Sequence, residues 1–141
     1  MATGFSHDEL GAALAATHIG ARTAPAAGAD VVAPTLEEQC WGDVPRARER
    51  IFTALPRPDA LPQDVTVPAA MYFRVIAGDP QGEFVVVSLL ADTPQARARG
   101  GLSRVDATMR WSGQDWQLRV PLPRPSIQTG TSGYRLLGPT P

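Results

Sequence analysis

The sequence predicts an α+β domain in which N-terminal helices pack on a curved four-stranded antiparallel sheet. Three observations carry this. Leu102 to Leu122, LSRVDATMRWSGQDWQLRVPL, alternates with period two on either side of a short polar turn. Ala70 to Ala91 is rich in β-branched and aromatic residues around a Gly78-Asp79-Pro80-Gln81 turn. Upstream of both, capping signals and helical spacing dominate instead.

The first helix begins at Ser6, which with Glu9 makes the S-x-x-E capping box, flanked by Phe5 and Leu10 as a hydrophobic staple. Leu10, Ala13, Leu14, Thr17 and Ala21 mark its inner stripe, and Pro25 and Gly28 end it near Thr23. Many small residues on this helix favour a close approach by another backbone. A short second helix spans Pro34 to Trp41, with Thr35 and Glu38 repeating the capping spacing and Gly42 as a stop. Asp43 caps a third helix with Pro45 in its first turn, an apolar stripe of Val44, Ala47, Ile51 and Leu55, and Pro56 at its end.

Pro56 to Pro68 is a proline-rich link that cannot be a central strand. The two hairpins follow, joined by a polar connection at Asp92–Gly101 with two terminal glycines, expected to be mobile. In the second hairpin Val105, Ala107, Met109, Trp111, Trp116, Leu118 and Val120 form the apolar face. Arg104, Asp106, Thr108, Arg110, Gln117 and Arg119 form the other. The tail after Pro123 has little periodicity. The domain plan is therefore one α+β unit over 1–141: helical part 5–55, link 56–68, sheet 69–122, tail 123–141.

Composition narrows function by exclusion. A net charge of −1 at 43% hydrophobic content carries no nucleic-acid footprint. No apolar run is long enough to span a bilayer, and Asp8 and Glu9 interrupt any signal-peptide pattern in Met1 to Gly20. All thirteen basic residues are arginine, and lysine and asparagine are absent, as a GC-rich genome produces. Walker, G-x-G-x-x-G, H-E-x-x-H and G-x-S-x-G motifs are missing. The expectation is no cofactor, no metal and no catalytic residue.

His18 on the first helix is a possible general base in a pocket between helix and sheet, with Tyr72 and Asp106 as its companions; a packed, hydrogen-bonded histidine is the commoner outcome. His7 is expected in solvent. For Asp106, an exposed cross-strand ion pair with Arg119 or Arg74 is expected. Cys40 is alone and reads as a small buried hydrophobe. Arg97, Arg99, Arg104, Arg110 and Arg119 are the one basic concentration. The aromatics lie on the opposite face from these arginines, so stacked bases are not expected and nucleic acid is not the expected partner. Arg104, Arg110 and Arg119 instead form a candidate protein-contact face.

Two resemblances add to this. Helices, a proline-rich link and a meander ending in MRW-SGQ-DWQL look like the cystatin-like or nuclear-transport-factor-2-like superfamily. GFSHDELGAALAATHIGARTAPAAGADVVAPTLEEQ resembles an uncharacterised actinobacterial family associated with conjugal-transfer and integrative-element genes. The resemblance is carried by Gly4, Phe5, Gly11, Ala12, Ala15, Ala16, Ile19, Arg22, Thr23, Ala26, Ala27, Gly28, Pro34, Thr35 and Gln39. It implies an extracytoplasmic, non-enzymatic scaffold domain similar to those of conjugation and type IV secretion channels. Its partners would be other subunits or a second copy, and its membrane association would run through a segment absent from this chain. The alternatives are a cytoplasmic location and a small-ligand-binding or enzymatic domain of the same fold.

Overall fold

A computed structural model describes residues 3–55 and 70–138; the proline-rich link of 56–68 lies outside them. Helix α1 spans Glu9–Arg22. Its cap is Asp8 and not Ser6: the Asp8 carboxylate accepts from Gly11 N at 2.8 Å, and the Ser6 hydroxyl donates to the same oxygen at 2.7 Å. Ser6 is displaced from the cap because its carbonyl accepts from Trp116 Nε1 at 2.9 Å.

The buried side of α1 is Gly11, Ala12, Ala13, Ala15, Ala16 and Ile19, a rotation from the expected stripe that leaves Leu10 half-exposed. Alanine decides the orientation: a flank of methyls lets the helix axis sit closer to the sheet than a leucine stripe allows. Gly11 is the tightest point, where a Cβ would stand 1.8 Å from the Ser6 carbonyl oxygen.

After a 3-10 turn at Pro25–Ala27, helix α2 runs Ala29–Gln39 with Pro34 inside it. It starts earlier than Pro34 and stops short of Trp41. Cys40–Gly42 leaves the helix directly as strand β1. Helix α3, Val44–Thr53, has the expected Asp43 cap and Pro45 in its first turn.

The sheet departs from expectation. The longer strands β2 (Ala70–Gly78), β3 (Phe84–Asp92), β4 (Leu102–Trp111) and β5 (Trp116–Val120) are present. Three short strands join them: β1, β6 (Ser126–Gln128) and β7 (Arg135–Gly138). Among the described residues the result is an open, mixed, seven-stranded sheet ordered β1-β5-β4-β3-β2-β7, with β6 on β4. The four-stranded antiparallel, cystatin-like or nuclear-transport-factor-2-like sheet is thereby corrected, since β1 pairs parallel to β5. The additional strands are three or four residues long, too short to show a period, and each is recruited by a partner distant in sequence. Within the Asp92–Gly101 connection Thr93 caps a fourth helix, α4 (Pro94–Ala98), by accepting from Ala96 N at 3.1 Å.

One face of the sheet carries Phe73, Val85, Val87, Leu89, Ala107, Met109, Trp116, Leu118 and Val120, all buried in one core with α1 and α2. The opposite, outer face carries Tyr72, Arg74, Phe84, Ser88, Asp106, Thr108, Arg110, Gln117 and Arg119, as the strand registers require.

Candidate interaction face and helix–sheet cleft

The outer face is built across four strands. Trp41 on β1 stands opposite Arg119 on β5, Gln117 opposite Arg110 on β4, and Arg110 opposite Phe84 on β3. This register collects an aromatic and basic cluster. The guanidinium carbons of Arg110 and Arg119 lie 4.9 and 5.7 Å from the Trp41 ring centroid, within cation–π range. Phe84 meets the same indole at 5.7 Å. Arg110 donates to Gln117 Oε1 at 2.8 Å. Trp41 Nε1 is buried and has no hydrogen-bond partner among the described residues. Arg110 and Arg119 have no carboxylate partner among them either. Beside the cluster, Arg46, Arg119, Asp43, Asp106 and Thr108 border a polar hollow of about 390 Å3.

Of the three candidate arginines, Arg104 is occupied internally. Its Nε and Nη2 donate to the two Asp106 carboxylate oxygens at 3.0 and 3.2 Å, and its Nη1 donates to Gln128 Oε1 at 3.0 Å. Asp106 therefore pairs along its own strand and not across to Arg119 or Arg74. Residues two apart share a face, and the guanidinium fork matches the carboxylate. Partial burial pushes the Asp106 carboxyl up, but the Arg104 hydrogen bond, the Ser88 hydroxyl and the Arg104 charge outweigh it, and the carboxyl ends below its ordinary value. The Ser88 hydroxyl also lies 2.7 Å from the Tyr134 hydroxyl.

The alternative pocket residues are not brought together. His18 is exposed on α1 and stacks loosely on Phe5 at 5.9 Å. Tyr72 and Asp106 face away from α1, on the outer side of the sheet. A cleft between α1 and the sheet nevertheless exists, with a volume of about 300 Å3. Ala16, Gly20 and Ala21 of α1 face Ala91, Ser103 and Ala107 of the sheet across it. A second hollow of about 340 Å3, bordered by Arg50 and Pro121, shares Gly20 and Leu122 with the first.

The remaining candidates are structural. His7 is not in open solvent: it stacks on Trp111 at 4.0 Å with rings 5° from parallel, and its Nε2 lies 2.7 Å from the Gly82 carbonyl. Cys40 is buried, and burial pushes its thiol up to about 12, away from the thiolate. No group of three His, Cys, Asp or Glu able to hold a metal occurs among the described residues. None of the described helices is long and apolar enough to cross a membrane.

Trp41 and Phe84 escaped the sequence reading of this face. Trp41 looked like the last residue of a helix, and only its pairing with β5 turns it outward. For Phe84 a signal was available, because it alternates with Val85 and Val87 on the first hairpin.

A family model described as a domain of unknown function, DUF8175, matches residues 1–135, so the chain belongs to that family. No curated protein and no solved structure matches it significantly.

Proposed function

We propose that this chain is a non-enzymatic assembly domain that works through protein–protein contacts. Its setting is an extracytoplasmic, type IV secretion-like apparatus of bacterial conjugation. The actinobacterial resemblance supports the setting. The observation that carries the contact role is the Trp41 indole lying beneath Arg110 and Arg119 on the sheet face away from the helices. Tryptophan and arginine are the residues that most often dominate binding energy. Arginines already laid against an indole lose less side-chain freedom on docking.

Cross-linking in the producing cell, followed by purification, is expected to recover a defined oligomer or a stoichiometric partner. Arg119→Glu, at an exposed position, is expected to weaken that complex by roughly tenfold or more, the scale of a hot-spot residue, while the melting temperature of the isolated chain stays close to that of the parent. A chain that remains a monomer and cross-links to nothing overturns the reading.

A further inference from the structure

We propose that the cleft between α1 and the sheet is a binding site for one neutral, apolar small molecule of about two fused rings. The site lies on the opposite side of the sheet from the Trp41 face and does not depend on it.

The cleft exists because its α1 wall is short, carrying nothing larger than Thr17. Elsewhere on this face Val87, Met109 and Trp116 fill the layer beneath the helices and are fully buried or nearly so. Here Ala16, Gly20 and Ala21 of α1 oppose Ala91, Ser103 and Ala107, and Met71, Leu89, Val105 and Leu122 complete an apolar wall. The groove left between the walls has a volume of about 300 Å3 and is open on one side.

Gly20 is the telling residue. A glycine within a helix costs about 0.5–1 kcal/mol relative to alanine. At Gly11 contact explains it, since a Cβ would collide with the Ser6 carbonyl. At Gly20 a Cβ would meet no atom within 4 Å. Packing does not require that glycine, and its effect is to keep the cleft open where it meets the neighbouring hollow.

The chemistry of the walls selects the ligand. No titratable side chain borders the cleft among the described residues. The Thr17 hydroxyl is committed to the Ala13 carbonyl at 2.9 Å, which leaves Ser103 as the other hydroxyl on the wall. A charged ligand would lose its hydration with no counter-charge in return. The volume lies at the small end of ligand pockets, about twice that of an apolar cavity of roughly 150 Å3 that admits benzene.

The test is titration of the full chain with the neutral fluorophore phenylnaphthylamine, with naphthalene as competitor. Saturable binding of one molecule per chain, displaced by naphthalene, is expected. Gly20→Leu fills the cleft from the helix side and Ala91→Leu from the sheet side. Each is expected to reduce affinity by at least about tenfold, the effect of losing ~1.4 kcal/mol, with far-ultraviolet circular dichroism unchanged. Absence of saturable binding to the parent chain overturns the proposal. So does undiminished binding in whichever of the two variants folds.

Discussion

Trp116 Nε1 donates to the Ser6 carbonyl across 110 positions of sequence, and this bond ties the entrance of α1 to the β4–β5 hairpin. Its neighbour Asp115 completes the grip, accepting from Gly4 N at 2.8 Å and from Phe5 N at 3.2 Å. The His7 ring then closes over Trp111. The two tryptophans that mark the hairpin in the sequence thus act as an anchor for the N-terminal segment as well as core.

Trp116→Phe keeps most of the buried ring but leaves the Ser6 carbonyl without its donor. The expected loss is about 1–3 kcal/mol, read as a lower urea midpoint at unchanged slope. Trp116→Ala also opens a cavity and is expected to cost about 3–5 kcal/mol.

One substitution made at two places in α1 is expected to have opposite effects. Helix propensity favours alanine over glycine by about 0.8–1 kcal/mol. At Gly20 nothing opposes it, because the new methyl meets open space, so Gly20→Ala is expected to raise stability by roughly that amount. At Gly11 a Cβ 1.8 Å from Ser6 O forces the helix entrance apart, so Gly11→Ala is expected to destabilise by about 1–3 kcal/mol, the usual cost of overpacking. Paired thermal melts decide the sign of each.

Asp106 gives the chain an acid-sensitive element. Its carboxyl is held below its ordinary value by the Arg104 fork and the Ser88 hydroxyl despite partial burial. A depressed folded pKa contributes stability that is present above the unfolded value, about 3.9, and is lost as pH falls through the folded one. Asp8 acts in the same sense, chiefly through the Gly11 amide. Urea midpoints are therefore expected to fall on going from pH 5 toward pH 2. Asp106→Asn is expected to lower the midpoint near neutrality and to flatten that decline, and a variant with the parent's full acid dependence would contradict the assignment.

Cys40 is expected to resist a thiol–disulfide reagent at pH 8 in the native chain and to react at once in denaturant. Its thiol is pushed up to about 12 by burial, and reaction requires the thiolate. Rapid native-state labelling would contradict its placement in the core.

How much was legible follows from the range of each interaction. The Asp43 cap, the presence of β2–β5 and the two faces of the β4–β5 hairpin depend on neighbours within a few residues, so composition and period two disclosed them. The Ser6 cap was misread because a bond from Trp116 competes for that residue. Trp41 was misread because parallel pairing with β5 converts the end of an expected helix into strand β1. Arg104 is on the expected face, yet which arginine Asp106 would take depended on side-chain reach, which alternation does not encode.

Legible in the chain alone were an α+β make-up, one apolar sheet face and an arginine-bearing opposite face. Those properties come from local propensity and from the strict alternation of a strand. The seven strands among the described residues, the Trp41 cluster and the cleft beside Gly20 emerge only in the folded chain. Each of these forms where segments far apart in the chain meet: β1 on β5, β6 on β4, β7 on β2, and α1 against Ala91 and Ala107. Short strands gain their hydrogen bonds, and small residues reveal their empty space, only when the distant partner is in place.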